Sequence, residues 1–305
     1  MLKTVEVINY LGDSIILDLR NPASSGFLIK EIEGLGPVTS DINVTDLATN
    51  DGGIFNSSRL QTRNIVFTLQ YLFNPTIEDM RRKSYKYFPT KKELTLIFET
   101  DSRKAAITGY VESNEIDFFS KDEGSQISII CPDPYFYSVS DSGEDDSTVF
   151  SGLTPAFEFI FSNESLTEDL IEFGIIQNLS QRSIPYDGDA DTGVTITIHA
   201  TARVENISIY NVNTREQMKI NTDKLEAMTG SPMVSGDDII ICTIKGRKSI
   251  TLLRGGVYTN ILNCLDKNSD WFQLTRGDNI FTYDATVGAY NIQFKVQHPV
   301  IYEGI

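Results

Sequence analysis

Residues 81–136 read RRKSYKYFPTKKELTLIFETDSRKAAITGYVESNEIDFFSKDEGSQISIICPDPYF. The stretch opens as a short basic helix and passes into strands. Leu94, Leu96 and Phe98 alternate with Glu93, Thr95 and Ile97. Residues 107–111 and 127–131 read as two further strands. Just upstream, Ile65, Phe67, Leu69 and Tyr71 alternate with Asn64, Val66, Thr68 and Gln70, the period of a half-buried strand. Residues 14–19 are short and apolar. Residues 27–33 follow the turn residues Asn21, Pro22 and Gly26. Together these segments predict a sheet-rich first domain.

One helix interrupts the strands. Thr76 stands in cap position with Asp79 three residues later, and Pro75 and Pro89 bracket the segment. Ile77, Met80, Ser84 and Phe88 fall on one stripe, with Arg81, Arg82, Lys83 and Lys86 elsewhere. The basic cluster reads either as a solvated helix face or as a contact for an acidic neighbour.

Residues 34–63 are different in kind. They hold GLGPVTS, a polar stretch from Asp41 to Asn50, and NDGGIFNSSR. A connection this long and turn-rich is functional or mobile inside a compact domain. It reads as an extended loop or hairpin leaving the domain body.

Pro132, Pro134 and the small polar and acidic run SVSDSGEDDS (138–147) mark a boundary. The break is placed near Tyr137, giving domains 1–136 and 137–305. Beyond it, strand signals recur at 157–161, 169–177, 194–199, 204–210, 238–244, 248–253 and 290–296, separated by turns as in a β-sandwich.

The chain has 305 residues and a net charge of −16. Residues 1–136 carry 14 basic and 19 acidic side chains, and the rest 12 and 23, nets of −5 and −11. Such a balance disfavours binding to a phosphate backbone. The three cysteines, Cys131, Cys242 and Cys264, have no metal-like spacing and read as small buried hydrophobes of a reduced compartment. The N-terminal MLKTVEVINYLGDSIILDL has no signal-peptide pattern, and no apolar run reaches membrane-spanning length.

No catalytic, cofactor or metal constellation emerges. Asp187, Asp189 and Asp191 alternate like the start of a calcium loop, but Thr192 stands where glycine is required and Ile198 where glutamate is. The segment reads as a turn. His199 and His298 are isolated and lack ligand spacing. Glu112, Glu115 and Asp117 read as a polar edge or subunit contact. Gly34-Leu35-Gly36 lacks the third glycine of a dinucleotide loop, and Asp51-Gly52-Gly53 is a turn. Trp271, the sole tryptophan, alternates with Phe272 and Leu274, placing Trp271 and Gln273 on one face. It is the one candidate for stacking on a sugar.

The marks SSRLQTRNIVFTLQY, YFPTKKELTLIFETDSRKAAITGYVES and QISIICPDPYF resemble the N-terminal domain of the distal tail proteins of long-tailed bacteriophages. The resemblance spans roughly Val5 to Phe136 and is densest from Arg59 onward. The segment SGDDIIICTIKGRKSITLLRGGVYTNILNCLDKNSDWFQLTRGDNIFTY (235–283) is similar to the galectin-like sandwich of the same proteins. The histidine, asparagine and arginine set of true galectins is absent around Trp271, so sugar recognition does not carry over with the fold.

The resemblance implies a mainly β protein. Its first domain would be a tail-tube-like β-sandwich with one α-helix and an extended hairpin, and its second a galectin-like antiparallel β-sandwich. It implies a non-enzymatic structural component of the virion tail tip, made in the bacterial host cytoplasm. As a homohexameric ring in the baseplate it would join the tail tube protein to the tail-tip hub protein. The second domain would dock a receptor-binding protein or tail fibre. DNA would pass through the lumen without specific binding, and no membrane would be involved. On this reading Asp51, Gly52, Phe55 and Arg59 of the hairpin contact the neighbouring subunit. The competing expectation is a carbohydrate-binding adhesion module using Trp271.

Overall fold

The period-two residues of the first domain all converge on one core. In a computed structural model, which describes residues 1–47, 51–72, 76–119, 121–139, 146–149, 151–155, 174–178 and 181–305, the chain divides into two units. The first comprises Met1–Gly143 with Ile301–Ile305, the second Glu144–Val300.

The first unit is built on strands β1 (Thr4–Asn9), β2 (Ser14–Asp18), β3 (Phe27–Glu33), β4 (Ser40–Asp46), β5 (Gly53–Leu60), β6 (Arg63–Tyr71), β7 (Glu93–Glu99), β8 (Lys104–Asp117), β9 (Gly124–Cys131) and β10 (Phe136–Ser138), with one helix, α1 (Ile77–Tyr87). The main sheet runs β2-β1-β7-β8-β9-β6-β3, with every pairing antiparallel. On its edge away from β7, strand β8 serves two partners: its later residues pair with β9, and Ala105 and Ala106 pair with β10. Strand β10 in turn pairs with Ile301–Tyr302, which lie after the second unit in the chain.

Alternation explains the core directly. Ile65, Phe67, Leu69 and Tyr71 of β6 are buried, as are Leu94, Leu96 and Phe98 of β7 and Ile127 and Ile129 of β9. Their side chains leave one face of the pleat, so a single register brings them all inward. Phe67 stacks on Phe98 with centroids 6.4 Å apart, and Phe98 meets Phe136 edge-on at 5.8 Å.

The helix forms where its cap predicts. The Asp79 amide donates to Thr76 Oγ1 at 3.1 Å, and Met80 and Ser84 are buried against the sheet. The basic cluster is occupied within its own unit. Arg81 pairs with Glu78 and Glu123 at 3.0 and 2.9 Å, Lys86 with Asp13 at 2.9 Å, and Lys83 donates to the Ser25 carbonyl at 2.8 Å. These cations brace the helix against acidic and carbonyl partners of the same unit.

The second unit carries a six-stranded and a four-stranded sheet, both antiparallel. The first runs Asp146–Val149, Ile292–His298, Thr195–Ala200, Asp238–Cys242, Ser249–Arg254, Val257–Asn260. The second runs Gln181–Tyr186, Gly277–Val287, Glu205–Asn211, Glu216–Ile220. Tyr283 of the smaller sheet stacks on Phe294 of the larger at 5.2 Å, so the two pack as a sandwich. The strand expected at 157–161 and the first part of that at 169–177 lie outside the described residues; Gly174–Asn178 is a strand.

Among the described residues of this unit, one α-helix interrupts the strands and turns. Thr222–Thr229 is a helix, capped by Asn221, which accepts from the Lys224 amide at 3.0 Å, and ended by Gly230 at φ +84°. Both caps are visible in NTDKLEAMTG, whose weak apolar period hid the helix.

Candidate functional site

Among the described residues, strands β4 and β5 pair only with each other, forming a two-stranded hairpin apart from the main sheet. Gly52, at φ +88°, lies in its turn, and the Leu47 amide reaches the Gly52 carbonyl at 3.5 Å. The register joins Val44 to Phe55 and Asp41 to Arg59, with one irregularity between Asn43 and Val44. Alternation then puts Ile42, Val44 and Phe55 on one face and Asp41, Thr45 and Arg59 on the other.

The apolar face has no core behind it. Ile42, Val44 and Phe55 are 64%, 48% and 61% exposed. The opposite face carries exposed Ile54, opposite Thr45, beside a set of paired polar groups. Arg59 Nε donates to Asp41 at 3.1 Å, Gln61 Nε2 donates to the same carboxylate at 2.6 Å, and Asn56 donates to Thr45 Oγ1 at 2.6 Å. The Gln61 hydrogen bond, followed by that from Arg59, holds the Asp41 carboxyl below its ordinary value.

A lone hairpin is marginal in water, so its root decides whether it holds a direction. Arg63, the first residue of β6, is 2% exposed. Its Nε donates to the Pro134 carbonyl at 2.7 Å and its Nη2 to the Glu303 carbonyl at 2.7 Å. Its Nη1 donates to the carbonyls of Gly36, at 2.6 Å, and Gly34. Burial lowers the Arg63 pKa, yet the guanidinium stays charged at any physiological pH. Four main-chain carbonyls replace its hydration shell. Gly34 has φ +84° and lies against the Asn64 carbonyl, where a Cβ has no room. The Ile305 amide donates to Leu35 at 3.1 Å.

The structure thus brings Asp51, Gly52, Phe55 and Arg59 onto one arm, with Asp51 and Gly52 at the tip and exposed. Arg59 is engaged by Asp41. The sequence reading treated residues 41–50 as merely polar and overlooked Ile42 and Val44, although their spacing of two was legible. Arg63 carried no signal.

Elsewhere, Trp271 is half-buried with Lys248 Nζ 5.1 Å from its ring centre, so the indole already has a cation over it. Phe272 beside it is buried, and its carbonyl accepts from Thr243 at 2.7 Å. His199 Nδ1 meets Asp238 at 2.7 Å, and His298 is buried edge-on against Tyr186. Glu112 accepts from Ser128 at 2.8 Å. Among the described residues no group of three or more His, Cys, Asp or Glu side chains is placed to hold a metal, and no helix is long and apolar enough to cross a membrane.

Residues 187–298 match the family model for the siphovirus-type tail component, C-terminal domain. The crystal structure of SPP1 Dit, described as a paradigm of hub adsorption apparatus in phages infecting Gram-positive bacteria, superposes with a TM-score of 0.64. The identity is 15%, covering 98% of this chain and 99% of that one. The activated baseplate of phage P2 with calcium matches at a TM-score of 0.50 and 11% identity, over 98% of each chain. No curated protein sequence matches the chain. The chain is thus similar to a siphovirus-type tail component over residues 187–298 and shares the fold of SPP1 Dit along its length.

Proposed function

We propose that the protein is the ring-forming subunit at the distal end of a phage tail, acting by assembly rather than by catalysis. Copies of the chain join head to tail, six to a ring, between the tail tube above and the hub protein below. A closed ring of this kind uses heterologous contacts, in which each subunit offers two different complementary patches. The arm is one of them. The observation that carries the reading is the exposed apolar face of Ile42, Val44 and Phe55 on a hairpin whose root is fixed. An unpaired apolar face with a defined direction is suited to a partner surface. Asp51 and Gly52 at the tip and Arg59 nearer the root would border that contact. The second unit would dock a receptor-binding protein or fibre, and the acidic balance suits a lumen through which DNA passes unbound.

The test is assembly of the full chain with its tail tube and hub proteins, followed by electron microscopy and light scattering. Rings of the wild type, and their loss in Phe55→Asp at unchanged folded content, support the reading. Full ring formation by Phe55→Asp overturns it.

A further inference from the structure

We infer that Arg63 and the segment Glu303–Ile305 form a positioning clamp that sets the direction of the arm, so that ring assembly is governed by residues outside the arm's own apolar face. The inference rests on the assembly role proposed for the arm.

Three connections converge on the arm's root. The Arg63 guanidinium binds Gly34 and Gly36, the residues through which the chain enters the arm. The same guanidinium binds Pro134, just before β10, and Glu303, 240 residues away in sequence. Ile305 adds a backbone bond to Leu35, between the two glycines. The root therefore closes only when the chain beyond the second unit has returned. Gly34 and Gly36 would otherwise leave a freely pivoting joint. An arginine suits the task because its planar fork addresses several carbonyls in fixed directions, which a lysine ammonium cannot do. Beneath it, Phe136 offers a ring face 4.4 Å from the guanidinium carbon and fixes the fork's plane.

The arm's apolar face and the clamp are distinct sets of residues, which makes them separable. Two clamp variants are compared with Phe55→Asp: Arg63→Gln, and a chain that stops after Tyr302. The second keeps the β10 pairing and buried Ile301 while removing Glu303–Ile305. Hydrogen–deuterium exchange is read separately over residues 37–61 and over β6–β9, alongside ring formation. The clamp predicts at least tenfold faster exchange in the arm, less than twofold change in β6–β9, and at least tenfold less ring. Phe55→Asp is expected to lose the ring with arm exchange unchanged. Should Arg63→Gln fail to fold, the shortened chain decides. Unchanged arm exchange in the shortened chain overturns the clamp. So does full ring formation by the clamp variants while Phe55→Asp abolishes it. If Phe55→Asp itself assembles normally, the arm's role fails, and faster arm exchange in the shortened chain still upholds the clamp as a determinant of direction.

Discussion

The Arg63 guanidinium carbon lies over the Phe136 ring, 4.4 Å from its centre, and joins the first residue of β6 to the strand that leads out of the first unit. Both side chains are buried. A cation this deep is tolerated because its donors meet carbonyls and its face meets a π-cloud.

Replacing Arg63 by methionine keeps the volume and strands the carbonyls. Hydrogen bonds to a charged group contribute about 1.5–3 kcal/mol each, partly offset by the desolvation no longer incurred. We expect a loss of about 3 kcal/mol in urea unfolding of the first unit. A change below about 0.5 kcal/mol would mean the carbonyls find water instead.

Phe55→Asp alters an exposed side chain on an arm without a core. Monomer stability is expected to stay within about 0.5 kcal/mol. Association should weaken at least tenfold, about 1.4 kcal/mol. Sedimentation measured against protein concentration separates the two effects.

Cys131 faces Arg63 across the β6–β9 ladder and is fully buried. Burial pushes its thiol up to about 12. In the unfolded chain it ionises near 9. Between these values the unfolded state holds fewer protons, so stability falls as pH rises. The slope from this group approaches about 1.4 kcal/mol per pH unit. Cys131→Ala should remove that part of the alkaline slope, and equal slopes for both chains would contradict the assignment. At pH 8 the thiol is expected to resist thiol reagents until the protein opens.

Asp41 titrates in the opposite direction. Its folded pKa lies below the ordinary 3.8, so its contacts with Gln61 and Arg59 are fully present above that value and lost as pH falls through the folded one. Carbon-detected NMR should find its midpoint lower than in a Gln61→Ala chain. Identical midpoints would show that the Gln61 bond does not persist in solution.

Lys248 lies over the Trp271 ring. A double-mutant cycle of Trp271→Ala and Lys248→Ala should give a coupling of about 0.5–1 kcal/mol. Wild-type binding to host-wall glycans that disappears in Trp271→Ala would favour the adhesion function instead.

Much of the fold was legible because its signals are local. The alternation in RNIVFTLQY specifies which side chains face inward, and Thr76 with Asp79 specifies where α1 begins. The hairpin was visible as a long, turn-rich interruption between apolar strands. The helix at Thr222–Thr229 escaped because its eight residues carry too little apolar period. In the candidate site, Phe55 and Arg59 were readable as residues of the arm. The face of Ile42 and Val44 was legible in their spacing of two but was overlooked.

By itself, then, the amino-acid order determined the strands, the capped helix, the arm and the resemblance to a tail component, since periodicity, caps and turns act over a few neighbouring residues. Only the tertiary structure decided that Arg63 is buried, that its fork gathers four carbonyls from three separate places in the chain, and that residues 303–305 return to the arm's root. The physical reason is range. A main-chain carbonyl is the same acceptor in every residue, so a contact made to carbonyls leaves no mark in the identities of the side chains it joins.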